Sequence, residues 1–181
     1  NVAFGKFENA AYAEMAVVSQ GNLGGHEVVE ISSRLKTLGF VSAAFFQFDE
    51  NRTVYAAPDT GLPLYVSKVV NYGVEPKETV GNYLKEPTSN FDLLTLIYRA
   101  REANGTGTLT LFEDERIYTV TLQPTVSEKV KTAAGEFDTV VSLVQSNYLT
   151  ELGIKELKIN FATGEGHVPV MFRVKMAKEI F

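Results

Sequence analysis

The chain has 181 residues, of which 45% are hydrophobic and 22% charged, and its formal net charge is −5. This composition is typical of a single folded domain over residues 1–181 and excludes an intrinsically disordered chain. An acidic chain without a block of Lys or Arg lacks the electrostatic footprint of a nucleic-acid-binding protein. It has no cysteine, which excludes a disulfide framework, a thiolate metal site and a cysteine nucleophile.

Short segments rich in β-branched and aromatic residues recur along the chain. They predict about ten to twelve strands at the spacing typical of antiparallel sandwiches and barrels. Two hairpins are predicted in the second half, one with the acidic residues Glu113, Asp114 and Glu115 at its tip and one with Gly135 at its bend. No apolar run approaches the roughly 18 residues of a membrane-spanning helix, so we expect no spanning segment.

One short sequence motif, called the repeated phrase below, occurs twice, as "APDTGLPLYVSKVV" at 57–70 and "FATGEGHVPVMFRVKM" at 161–176. Each copy has a glycine-bearing turn, an apolar residue, a proline and then alternating strand-formers. A proline at the start of a strand costs little, because the missing N–H is least needed there. The pattern predicts two comparable hairpins within one sheet system, with Pro63 and Pro169 at strand starts; chance similarity is the alternative.

A single segment carries a helical pattern, at about residues 89–103. Leu93, Leu96, Ile97 and Ala100 recur at the helical spacing, and Ser89 stands three residues before Asp92 in an approximate capping box. The pair Asn104-Gly105 suits a left-handed end to the helix. We therefore predict one amphipathic helix whose apolar face packs on the concave side of the sheet.

The order of these features resembles a family of exported bacterial proteins, the domain of unknown function 3108. The first copy of the phrase is similar to the family's D-x-x-x-L-P motif, which Asp59, Leu62 and Pro63 carry with a gap one residue shorter. The segment "FDLLTLIYRAR" is similar to the family's helix, with Asp92, Leu94, Tyr98 and Arg101 at the matching positions.

The second half supports the same resemblance. "KTAAGEFDTVVSLV" is similar to a hairpin of the family, and "HVPVMFRVKM" to its closing strand, although Val168 replaces the usual Leu and no acidic residue matches Asp59. The resemblance implies a mainly β fold: a curved antiparallel sheet or half-open barrel wrapped over one α-helix, like the lipoprotein carriers. It also implies an export signal upstream of Asn1, residence in the periplasm or cell envelope of a bacterium, and no established enzyme activity.

Residues for catalysis or metal binding are sparse. The two histidines, His26 and His167, lack ligand partners at two or four residues' spacing, and no nucleophile or phosphate-binding motif is present. The acidic tip at 113–115 is more typical of a solvated turn than of a calcium site. We therefore predict no catalytic residue, no metal, no cofactor and no enzyme activity.

Clustered aromatic residues give the one candidate binding site. In a half-open barrel they either fill the interface between sheet and helix or line a cavity for an apolar ligand. We expect Val170, Phe172 and Val174 to point towards the helix and Arg173 and Lys175 towards solvent. The predicted ligand-binding residues are Phe45, Phe46, Phe48, Leu96 and Phe172.

The favoured hypothesis is a non-catalytic envelope protein that binds a lipid or other hydrophobic or amphiphilic ligand in the concave sheet. The alternative is a structural or interaction module that contacts another envelope protein. An enzyme ranks third, because the sequence offers no acid–base pair at a usable spacing.

Overall fold

The structure is a computed structural model that describes residues 2–4, 7–37, 49–72 and 75–177. The chain divides into two compact units, Asn1–Ser89 and Asn90–Phe181. The expectation of one domain stays a prediction.

In its described residues the first unit forms a six-stranded antiparallel sheet in which each strand pairs with the next along the chain. Hairpins of this kind need only short turns, and Gly24 and Gly25 form one of them with positive φ angles. The strands are β1 (Val2–Phe4), β2 (Phe7–Leu23), β3 (His26–Thr37), β4 (Asp49–Ala56), β5 (Pro63–Tyr72) and β6 (Glu75–Asn82).

One face of this sheet is buried in its central strands. Val54 of β4 is fully buried and lies opposite Ile31 of β3, which is also buried. Because alternate residues share a face, Arg52 lies on the same side as Val54, and it too is buried. Its guanidinium Nε donates to Glu50 Oε1 at 3.0 Å, so the buried charge is paired.

The second unit contains a five-stranded antiparallel sheet with the order β11-β10-β9-β8-β7. The predicted hairpins are confirmed: β7 and β8 meet at Asp114-Glu115, and β9 begins at Gly135. Asp114 and Glu115 both have positive φ, the geometry of a type I′ turn. The strands are β7 (Gly107–Glu113), β8 (Arg116–Thr132), β9 (Gly135–Gln145), β10 (Ile154–Ala162) and β11 (Pro169–Met176).

The predicted helix is present as α1 (Leu93–Glu102), but its start was placed too early. Phe91 is still extended and forms a bridge to Leu111 of β7, so the helix cannot begin at Ser89. Asp92 is the N-cap instead. Its Oδ1 accepts from Leu94 N at 2.8 Å, and Thr95 Oγ1 accepts from Asp92 N at 3.0 Å, which completes a capping box.

Helix α1 packs on one face of the second sheet. Leu96 and Ala100 join Leu111 of β7 and Phe161 of β10 in the buried core, with Tyr118 and further residues of β8, β9 and β10. Leu94 and Thr95 are also buried, whereas Ile97 is only half-buried, so the buried side is rotated from the predicted stripe. A ten-residue helix is marginal in water, and this burial stabilises it.

The end of α1 is fastened to the sheet. Gly105 N donates to Ala100 O and Asn104 N to Arg101 O, and both turn residues have the predicted left-handed conformation. Ser142 Oγ of β9 donates to Gly105 O at 2.6 Å. Arg101 Nε donates to Gly166 O in the turn between β10 and β11, which ties the helix to that hairpin.

The repeated phrase corresponds to two equivalent turns. Ala56 lies opposite Pro63, and the next residue, Ala57, donates its N–H to Leu62 O at 2.9 Å. In the second copy Phe161 lies opposite Pro169, and Ala162 N donates to Val168 O at 2.9 Å. Both prolines are the first residue of a strand, as predicted. The expectation of one sheet system is wrong, because the two hairpins lie in different sheets.

The predicted mainly β, antiparallel fold class is therefore confirmed, with eleven strands in the described residues. A second helix, α2 (Asn147–Glu151), was not predicted. It has five residues, too few to give a periodic signal. In the described part of the chain neither helix is long and apolar enough to cross a membrane.

Candidate functional site

Two of the five predicted ligand-binding residues, Leu96 and Phe172, lie in the described part of the chain, so the predicted site as a whole stays a prediction. Phe45, Phe46 and Phe48 lie outside the described residues. Leu96 is 5% exposed and lies in the core between α1 and the second sheet. Leu96 therefore contributes to the packing of this core.

Phe172 lies on the predicted face but is not covered. It is directly opposite Ile159 of β10, which belongs to the core beneath α1, and opposite residues of an antiparallel pair share a face. Phe172 is nevertheless 45% exposed and Val174 is 52% exposed. Among the described strands β11 is the last of this sheet, so its side chains on this face lie at the margin of the core. Arg173 and Lys175 are exposed, as predicted.

A groove of about 720 Å³ lies at one end of the second sheet, where β8, β9 and β10 approach α2. Its volume falls within the roughly 300–1,000 Å³ typical of small-molecule sites. The sheet supplies residues near the start of β8, the end of β9 and the start of β10. Helix α2 and the residues before it supply the rest of the lining.

Four interactions hold α2 in place beside the groove. Ser146 caps the helix by accepting from Tyr148 N at 3.3 Å, and the rings of Tyr148 and Tyr118 lie 5.2 Å apart. The Tyr118 hydroxyl donates to Glu151 Oε2 at 2.9 Å, and Arg116 Nη1 donates to the same oxygen at 3.2 Å. Burial and the hydrogen bond to Glu151 together raise the pKa of Tyr118, so it stays a neutral donor.

The lining of the groove is chemically mixed. Its aliphatic residues are Ile117, Leu143, Val144, Leu149 and Ile154, and Ile117 is 64% exposed. Its polar residues carry hydroxyl and amide groups and two charges; they are Tyr118, Thr119, Gln145, Ser146, Asn147, Thr150, Lys155 and Glu156. A groove of this kind suits a ligand that has both apolar and polar parts.

A polar cluster crosses the second sheet from β8 to β11. The side-chain amide of fully buried Asn160 donates to Glu128 Oε1 and to Thr139 Oγ1, both at 2.8 Å. Arg173 of β11 also donates to Glu128 Oε1. The Asn160 hydrogen bond, together with the Arg173 contact, lowers the pKa of Glu128. The cluster links the last strand of the sheet to the interior strands.

The acidic hairpin tip is not a uniform solvated turn. Asp114 and Glu115 are exposed, but Glu113 is 5% exposed. Within the described ranges no group of three or more His, Cys, Asp or Glu residues is placed to hold a metal ion.

Sequence reasoning missed the groove because its residues form no motif. They come from three strands and a short helix, and hydroxyl, amide and aliphatic residues occur on every surface. One signal was readable, since Ser146 before "NYLTEL" is a good helix N-cap. That signal could have revealed α2, although not the groove beside it.

Comparison with known proteins identifies a family for this chain but no individual relative. A family model described as "Protein of unknown function (DUF3108)" matches residues 1–179. No curated protein and no solved structure matches the chain.

Proposed function

Because the chain belongs to the DUF3108 family, which carries no assigned function, we propose a function from the groove: a non-catalytic binding protein for an amphiphilic ligand. The observation that carries this proposal is the mixed lining of the groove. Side chains such as Leu143 and Ile154 favour an alkyl or other apolar part, while Gln145, Asn147 and Thr150 offer donors and acceptors to a polar part.

A binding role is also supported by how the groove is built. Tyr118 and Glu151 are engaged with each other, and Arg116 shares the same carboxylate oxygen. These groups hold the wall formed by α2, and a site on a supported wall needs little rearrangement to accept a ligand. For the location we propose the bacterial cell envelope, on the resemblance to exported proteins.

The test is a titration with a neutral, environment-sensitive dye such as N-phenyl-1-naphthylamine. We expect saturable binding to the wild-type protein, weakened by Ile117→Asp, which places a carboxylate in the apolar part of the lining. Val126→Asp is the matched control, because Val126 lies on the same strand, is 57% exposed and does not line the groove. Equal binding by both variants, or no saturable binding at all, would contradict the proposal.

A second candidate, an interaction module of the envelope, is favoured by the apolar side chains exposed at the margin of the second sheet. Val168, Phe172 and Val174 are each 45–52% exposed. Native mass spectrometry of the protein extracted from its own membranes separates the two candidates. A bound small amphiphile that Ile117→Asp removes favours the first candidate. A bound envelope protein that Phe172→Asp removes, and Ile117→Asp does not, favours the second.

A further inference from the structure

We propose that the ligand of the groove is an anionic amphiphile, an alkyl chain that bears a carboxylate or a phosphate, and that Lys155 is its charge partner. This inference rests on the proposed function, since it names the chemical class of the ligand in the same groove. It is carried by the charges that line the groove and by how they are paired.

The two charged residues of the lining differ in their partners. Glu156 Oε2 lies 3.2 Å from Lys158 Nζ, so its charge is already compensated. Lys155 is exposed and has no ion-pair partner anywhere in the described ranges of the chain. The nearby charges of Arg116 and Glu151 compensate each other at 3.2 Å. Within the described ranges, Lys155 is therefore the one charged residue of the lining without an ion-pair partner.

This local charge has the opposite sign to the protein as a whole. The chain carries a net charge of −5, so an anion is repelled by the overall field and needs a local cation to bind. An ammonium group supplies three donors to an anionic oxygen, and the side-chain amides of Gln145 and Asn147 add further donors in the same lining. No comparable set favours a cationic ligand, because the one lining carboxylate is paired.

The apolar residues of the lining indicate what kind of molecule bears the anionic group. A small inorganic anion would leave Ile117, Leu143, Leu149 and Ile154 without a partner in the groove. An alkyl chain gains free energy from contact with these side chains, in proportion to the apolar area removed from water. The chemistry shared by a free fatty acid and a lipid phosphate meets both requirements.

The experiment is isothermal titration calorimetry with four probes that share one chain length, at concentrations below micelle formation. The probes are decanoate, decyl phosphate, decan-1-ol and decyltrimethylammonium. We expect the two anions to bind more tightly than the alcohol and the cation to bind most weakly. The anion with the higher affinity identifies the headgroup as carboxylate or phosphate.

Variants of Lys155 test the charge partner. Lys155→Gln should weaken binding of both anions by about fivefold, a modest factor because the pair is exposed, and should leave decan-1-ol unchanged. Lys155→Arg should restore most of the anion affinity. Lys131→Gln is the control, since Lys131 is 82% exposed and pairs with Glu136 away from the groove. All variants should keep the wild-type melting temperature.

The outcomes separate this inference from the proposed function. If decan-1-ol binds as tightly as decanoate, or if Lys155→Gln leaves anion binding unchanged, the groove binds amphiphiles without charge selection and the inference fails alone. If none of the four probes binds, both fail. Adding salt from roughly 0.05 to 0.5 M should weaken the anions and spare the alcohol, because screening acts only on the charged pair.

Discussion

The two hairpins that carry the repeated phrase have the same turn but different surroundings. Strand β5 pairs with β4 on one side and β6 on the other, whereas β11 pairs with β10 alone among the described strands. In the second hairpin, Phe161 stands where the first has Ala56, and α1 is fastened to its turn through Arg101. The local sequence motif thus specifies the turn, whereas contacts with neighbouring elements determine how that turn is stabilised.

The largest expected effect comes from making the second hairpin resemble the first. Phe161→Ala gives that position the side chain found at Ala56, but it removes a ring that is fully buried beneath α1. We expect a loss of about 3–5 kcal/mol in the free energy of unfolding, measured by urea denaturation. A loss below about 1 kcal/mol would show that the core tolerates the cavity and that the hairpins are closer equivalents than their packing indicates.

Gly105, just after the end of α1, gives a second test of how contacts with α1 stabilise the second hairpin. A Cβ at this position would lie 2.3 Å from Ser142 Oγ and 2.6 Å from a ring carbon of Phe161, and its φ is +68°. We expect Gly105→Ala to cost about 2–3 kcal/mol, from strain in the backbone and from overpacking.

The matched control for this substitution is Gly25→Ala in the first sheet. Gly25 also has a positive φ, of +91°, but a Cβ there meets nothing within 4 Å. It should therefore show only the backbone cost, about 1 kcal/mol. Equal losses at the two sites would mean that the contact between Gly105 and the second hairpin does not matter for stability.

The two hairpins share a proline at the start of their second strand, and replacing it should have a small and equal effect on the stability of each. Pro63→Ala and Pro169→Ala each release the backbone of the unfolded chain at the first residue of a strand. We expect each to lower the free energy of unfolding by about 0.4–1 kcal/mol. A difference well above about 0.5 kcal/mol between the two would show that the turns are not energetically equivalent, despite the same hydrogen bond.

The smallest expected effect concerns the contact of Glu128 with Arg173, which holds β11 in the second sheet, and it depends on pH. The hydrogen bond from Asn160, and then the contact with Arg173, lower the pKa of Glu128 in the folded protein. A carboxylate with a lowered folded pKa stabilises the fold above its unfolded pKa, roughly 4.3, and loses that contribution as the pH falls through the folded pKa.

Glu128→Gln should therefore make the melting temperature less sensitive to pH over that acidic interval. Glu136→Gln is the control, because its exposed carboxylate makes only a surface pair with Lys131 at 3.7 Å. Parallel pH curves for wild type and Glu128→Gln would contradict a role for this cluster in holding β11.

The sequence by itself determined the features that are set within a few residues. Strand-formers and turn residues gave the mainly β class and the hairpin at Gly135, and a proline without an N–H marked two strand starts at Pro63 and Pro169. The helix and its left-handed end at Asn104-Gly105 were also readable, because their signals are local.

Only the tertiary structure decided the features that depend on distant partners. The bridge from Phe91 to Leu111 moved the start of α1, and contact with the second sheet fixed which of its residues are buried. Phe172 was assigned to the correct face but is exposed, since a strand carries no signal of whether it lies at the margin of its sheet. The groove likewise depends on β8, β9, β10 and α2 meeting, and pairing between separated segments is not encoded in any one of them.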